Sequence, residues 1–311
     1  PRRIYEIQSV RVRCMIINKN KMNKRIALFT NGDKNYFSKA KRCFEVFEEL
    51  NPNVFDFYYI TSDTEAVPLK NMNVIILDPN DYIEGFTDTN YAPESFLYYP
   101  APDILYEKGY KYSMHIDADC VCMKELDFSF LTEDFVFAGT PRMRNNLSEQ
   151  IDCWYYLNAV LSKETINYLE NTFKLQNKNN IIDIQDGVMI INNERWVNEK
   201  LYNKSYNLFK TCKDAGYPMR DTDILLGLLI LDTPKHFYKH IGIEWNWYYE
   251  RQEVKSMGGE DANILHMAWL KPWADGIHNK NHILTKGKEI WDGYKKEDWR
   301  AATKDWGFTN I

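Results

Sequence analysis

Residues 112–122 read YSMHIDADCVC. The run Tyr112–Ile116 has the short, alternating apolar character of a buried strand, and it ends in two carboxylates, Asp117 and Asp119, separated by one alanine. Charge at the end of a buried strand needs a reason. In an open α/β sheet the reason is a ligand, because such sheets bind outside the carboxyl ends of their strands. The flanking sequence therefore has to supply an open sheet.

It does so on both sides. Upstream, RIALFT (25–30) reads as a strand, NGD as a turn, Tyr36 to Leu50 as a helix, VFDFYYI (54–60) as a second strand and NVIILD (73–78) as a third. Strand–helix–strand order predicts a parallel sheet with crossover helices. The stretch ESFLYYPAPDILYEKGY (94–110) predicts a helix broken by Pro100 and Pro102, and YSMHI is then the fourth strand. Downstream, EDFVFAG (133–139) and DGVMIIN (186–192) read as strands. Helices are expected within 148–175, 194–213 and 221–231. The expected fold class is α/β: a single Rossmann-like domain with a mostly parallel, mixed central sheet flanked by helices. Residues 1–24 are expected to form an N-terminal extension with a weakly alternating strand pattern, 25–284 the main domain, and 285–311 a C-terminal helical segment carrying Trp291 and Trp299.

Composition bounds the function. With 44% hydrophobic and 27% charged residues over 311 positions, a large core is expected and disorder is not. Aromatics reach 15%, which suits either ring-lined sugar and nucleotide surfaces or an aromatic core. The net charge of −5 and the lack of a basic stripe argue against nucleic acid as a partner. No apolar run approaches the roughly 18 residues of a membrane span, ILLGLLIL (224–231) being far too short. The six cysteines show no disulfide framework, so reduced thiols and a cytoplasmic location are expected. Cys120 and Cys122 form a C-x-C without the second pair a zinc site needs.

Carboxylates spaced i, i+2 can point to one side of an extended segment. Held close they repel, and a divalent cation removes the conflict. Hard oxygen ligands suit Mg²⁺ or Mn²⁺, ions that keep positions open for substrate phosphates. The motif by itself is unspecific, as DTD at 221–223 of this chain illustrates. A second block, ILHMAWLKPW (264–273), offers His266 as a further ligand and Lys271 as a point charge for phosphate. A satisfied core histidine and ordinary packing of Trp273 are the competing reading of that block. The rings of EWNWYYE (244–250) suit an acceptor wall or core packing alike, and Arg142 and Arg144 either reach the acceptor or lie in an exposed loop, the loop being the favoured reading.

Taken in order, IALFTN, IDAD, QDGVMIINNERW (185–196), DTDILL (221–226) and HMAWLKPW (266–273) resemble the glycogenin-like family 8 glycosyltransferases over about residues 25–273. The resemblance implies the A-type nucleotide-sugar-binding fold, Mn²⁺ (or Mg²⁺) as cofactor, a UDP-sugar donor and a glycan or glycoprotein acceptor, with the anomeric configuration retained. It implies Asp117, Asp119 and His266 as metal ligands. It places Thr30, Asn31 and Tyr36 at the nucleoside, Ala118 beside the metal aspartates, and Lys271 on the diphosphate. Asp186, Asp221 and Thr222 fall at the donor sugar, and of these Asp221 and Asp186 are the catalytic candidates. An N-cap role for Asp221 is the competing reading. The chain departs from the family where Asp186 replaces an asparagine, where Thr222 replaces a glutamine, and where Tyr98 and Tyr99 lie in place of a basic residue before the D-x-D. The spacing from His266 to Lys271 is one residue shorter than usual. These departures leave the sugar open. They also motivate one alternative, a catalytically silent nucleotide-sugar-binding or assembly protein. The other alternative, a D-x-D phosphatase, would carry its motif after the first strand rather than the fourth.

Overall fold

A computed structural model describes residues 25–82, 92–142, 150, 153–173, 181–217, 222–232, 237–248, 261–268, 271–274 and 282–293. The expected first strand is β1 (Ile26–Asn31), followed by α1 (Phe37–Leu50), β2 (Phe55–Thr61) and β3 (Asn73–Ile76). β1 pairs in parallel with β2, and β2 with β3, as the strand–helix–strand pattern requires. A short helix, α2 (Pro79–Tyr82), follows. The two prolines of 94–110 open a helix rather than break one. Pro100 is the N-cap of α3 (Ala101–Glu107) and Pro102 lies in its first turn, where a missing N–H costs nothing.

β4 (Tyr112–Ile116) pairs in parallel with β1. After the D-x-D comes β5 (Cys120–Cys122), which the sequence reading had considered only as a C-x-C. β6 (Phe137–Pro141), α4 (Cys153–Val160), α5 (Lys163–Thr172), β7 (Ile184–Asn192), α6 (Asn193–Asn198), α7 (Leu201–Asp214) and α8 (Thr222–Leu231) follow. Two helices fill the 148–175 region because Ser162 stops one and caps the next, its side chain accepting from the Thr165 N–H at 3.2 Å. Three short strands end the series: β8 (Tyr238–His240), β9 (Trp247–Tyr248) and β10 (Ile264–His266). The final described helix spans His282–Asp292, so Trp299 and the N-terminal extension lie outside the described residues.

The main sheet has seven strands in the order β3-β2-β1-β4-β7-β6-β8. β7 is antiparallel to both β4 and β6, and the other neighbouring pairs are parallel, so among these strands β7 alone is reversed. This is the mostly parallel mixed sheet that the sequence predicted. Helices cover both faces, and the pleat divides the core. Ala27 and Phe29 of β1, with Met189 and Ile191 of β7, join one apolar cluster; Ile26 and Leu28, with Val188 and Ile190, join the other.

Reversal of β7 fixes the site. Its amino-terminal residues lie where β4 ends, with Ile116 opposite Val188 and the Asp117 N–H donating to the Gly187 carbonyl at 2.9 Å. A second, three-stranded sheet in the order β5-β10-β9 stands beside it. Antiparallel pairing of β10 on β5 sets His266 opposite Cys120, one residue from Asp119.

Candidate active site

The carboxyl ends of β1, β4 and β6 and the amino end of β7 open into one cleft of about 560 Å³. Thr30, Asn31, Tyr36, Asp117, Ala118, Asp119, Asp186, Thr222, His266 and Lys271 all line it, so residues from five separated stretches of chain meet there. Asp221 lies outside the described residues, as does Arg144.

At the centre, His266 Nε2 is 3.3 Å from both Asp117 Oδ2 and Asp119 Oδ1. The His266 side chain is 5% exposed, and those of Asp119 and Asp117 are 6% and 42% exposed, so the trio has one wet edge. Burial opposes charge on His266, yet the two carboxylates push its pKa up to about 10. Burial would raise Asp119, but His266 and Lys271 hold it below the usual carboxylate range. The ammonium of Lys271 pairs with Asp119 Oδ2.

Such a knot of buried charge, with one carboxylate partly open to water, is the donor set a divalent cation would occupy: two hard oxygens and an imidazole nitrogen. Asp119, Cys120 and His266 also lie close enough together to hold an ion. Cys120 is the poorer ligand, since burial pushes its thiol far up and its Sγ faces the Gly187 carbonyl at 3.5 Å. The oxygen and imidazole set fits Mn²⁺ or Mg²⁺ better than a thiolate would.

Two features hold His266 in place, and neither was read from the sequence. Asn246, 2% exposed, accepts from the ring through Oδ1 at 3.0 Å from Nδ1, which leaves Nε2 directed at the carboxylates. Gly187 leaves the ring its room: a Cβ there would lie 2.6 Å from His266 Nδ1 and 3.1 Å from Asp117 Oδ2. Asn246 stands between Trp245 and Trp247, and those rings drew the sequence reading. Both are core, at 6% and 2% exposure, with Trp245 packed edge-on against Phe128 and Phe130. They are not available as an acceptor wall.

Toward β1, His115 is stacked under Tyr98 and spans two strands, with Nε2 3.0 Å from Asn31 Oδ1 and Nδ1 3.0 Å from the Asp186 carbonyl. Asn31 in turn donates to the Glu94 and Ser95 carbonyls at 2.9 and 3.3 Å. Tyr36, 41% exposed, meets Trp273 edge-on at 6.3 Å, with the Lys39 ammonium over both rings. Trp273 therefore packs against a cleft residue.

At the opposite end the expectation for Arg142 fails. It is 6% exposed, not in an open loop. Its Nε lies 2.5 Å from Asp183 Oδ2, its Nη2 pairs with Asp223, and its plane lies 4.3 Å from the Tyr156 ring. Burial would lower its pKa, but Asp223 and Asp183 raise it well above the ordinary value. Asp223, the second acid of the DTD that served to illustrate chance, lines the cleft beside Asp186. Thr222 Oγ1 donates to Asp186 Oδ2 at 2.8 Å. Burial, then Asp223 and Asp117, push the Asp186 carboxyl well above its usual range.

A mixed α/β sheet with a ligand cleft at its strand ends and a D-x-D after the fourth strand defines the class of fold: the A-type fold of glycosyltransferases. No family model matches the sequence, and no curated protein is similar to it in sequence. Solved structures are similar in fold. The bifunctional glycosyltransferase WbbM has a TM-score of 0.58 at 14% identity, over 90% of this chain and 52% of that one. The galactosyltransferase LgtC, in complex with donor and acceptor sugar analogues, has a TM-score of 0.56 at 14% identity, over 88% and 99%. The glycosyltransferase GlyE of Streptococcus pneumoniae TIGR4 has a TM-score of 0.54 at 16% identity, over 92% and 64%. The chain thus spans about half of WbbM and under two thirds of GlyE. Among the described residues no helix is long and apolar enough to cross a membrane.

Proposed function

We propose that this chain is a metal-dependent glycosyltransferase, similar to family 8, with residues 25–284 as its catalytic domain. It would move a sugar from a UDP-sugar to a hydroxyl of a glycan or glycoprotein, with retention of the anomeric configuration. The observation that carries this reading is the meeting of Asp117, Asp119 and His266 at one point of the cleft, from stretches about 150 residues apart in sequence.

In this reading Asp117, Asp119 and His266 hold Mn²⁺ (or Mg²⁺), which when bound supplies a Lewis acid for charge growing on the departing diphosphate. Lys271 adds a fixed positive charge beside it, and such preorganised electrostatics typically lower a barrier by several kcal/mol. Thr30, Asn31 and Tyr36 receive the nucleoside, and Ala118 leaves room between the aspartates. Asp186 and Thr222 hold the sugar, and Asp221 is assigned to the anomeric centre. Retention has the acceptor hydroxyl enter on the face that the diphosphate leaves, which needs no second carboxylate across the ring.

The test is UDP release and sugar transfer across a panel of UDP-sugars, in Mn²⁺ and in EDTA. Metal-dependent turnover that Asp117→Asn and Asp119→Asn abolish is expected. Equal rates in EDTA and Mn²⁺ would sink the reading, and tight UDP binding without any turnover would favour a silent binder instead.

A further inference from the structure

The strand order lays out the cleft as a line. β1 contributes Thr30 and Asn31, β4 leads to Asp117, β7 carries Gln185 and Asp186, and Arg142 follows β6. The metal trio and Lys271 lie over β4 in the middle. With the diphosphate there and the nucleoside over β1, the sugar lies over β7 and β6. What it meets at that end is a set of charges, and their balance has a sign.

We propose that the transferred sugar carries no carboxylate: this end of the cleft accepts a neutral, hydroxyl-bearing ring and rejects a uronate. The inference rests on the nucleotide-sugar reading above and adds the chemical class of the sugar. Arg142 is the guanidinium that a uronate would need, and it is already engaged. Asp183 holds its Nε at 2.5 Å, and Asp223 pairs with Nη2. Asp183 is 0% exposed, so it cannot turn away to water and release its partner. Asp186 adds a third carboxylate beside Asp223. Two acids therefore pair with the one guanidinium and a third stands at the same end of the cleft, so even a proton resting on Asp186 leaves Arg142 fully matched. Lys271 is committed to Asp119 at the middle of the cleft. An incoming carboxylate would meet like charge with no open cation among the described residues at that end. Sugar hydroxyls, in contrast, donate to carboxylate oxygens, and Asp186 and Asp223 present such acceptors.

UDP-xylose and UDP-glucuronate make the sharpest pair, because they differ only by the carboxylate. Calorimetric titration in Mn²⁺ would compare them, together with UDP-glucose, UDP-galactose, UDP-galacturonate and UDP alone. UDP should bind, and each uronate should bind about tenfold or more weakly than its neutral counterpart, since like charges placed together are strongly disfavoured. Asp223→Asn removes one like charge and loosens the guanidinium, so in that variant the gap should narrow by about threefold or more. A uronate bound as tightly as its neutral counterpart in the wild-type protein overturns the inference and leaves the donor-site reading standing. Failure of UDP itself to bind overturns both. The wild-type panel decides the matter even if the variant does not fold.

Discussion

Removal of one oxygen 3.0 Å behind His266 should cost most of the affinity for the proposed metal. Asn246 Oδ1 accepts the Nδ1–H of His266, and both residues are buried, at 2% and 4% exposure. A cation bound at His266 would displace the Nε2 proton, and the neutral imidazole then carries its one proton on the other nitrogen. Fixing the proton on Nδ1 aims the Nε2 lone pair at the two aspartates, whose oxygens lie 3.3 Å from it. Asn246→Leu keeps the volume and deletes the acceptor. The N–H is then buried without a partner, a penalty of about 1–3 kcal/mol. At 1.4 kcal/mol per decade this corresponds to about a tenfold to hundredfold loss, the range in which outer-shell partners of metal-bound histidines commonly fall. The assay is the electron-spin-resonance signal of free Mn²⁺ during titration, with thermal melts of the metal-free proteins to verify folding. Asn246→Asp restores an acceptor oxygen and should return the affinity to near wild type. A folded Asn246→Leu protein that binds Mn²⁺ like the wild type would refute the reasoning.

Two further outcomes are expected. Gly187→Ala places a methyl 2.6 Å from His266 Nδ1, so the imidazole must leave its place; Mn²⁺ binding should be lost while circular dichroism stays native. Arg142→Ala strips the partner from Asp183 and Asp223 and should destabilise by about 3–5 kcal/mol, read by urea unfolding. The deficit should also depend on pH. Burial raises the folded pKa of Asp183 from 3.8 to about 6, so what this group contributes is present below 3.8 and lost as pH rises through about 6. Arg142 pulls that value down, so without it the folded pKa climbs further and the variant's deficit grows as pH rises above about 6. A deficit that shrinks as pH rises would contradict the assignment.

Much of the site was legible because chemistry-bearing residues stood at the ends of apolar runs. Asp117 and Asp119 could be read from YSMHIDAD, and His266 and Lys271 from ILHMAWLKPW, since a strand that ends in charge points to a ligand. Arg142 misled because an arginine in TPRMRNN looks solvated; only the arrival of Asp183 and Asp223 from other elements makes its burial tolerable. Asn246 was hidden between two tryptophans whose rings carried the stronger signal.

By itself the sequence determined the order of the longer strands and helices, and the alternation that puts Ala27 and Phe29 on one face and Ile26 and Leu28 on the other. Those properties are local, set by side-chain periodicity and by the chemistry of neighbouring residues. The tertiary structure alone decided that β7 runs backwards, that CVC is a strand paired with ILH, and that two acids pair with one buried arginine. Each of these depends on partners far apart in the chain, and pairing across such distances is selected by the energy of the whole packed arrangement, which no short stretch encodes.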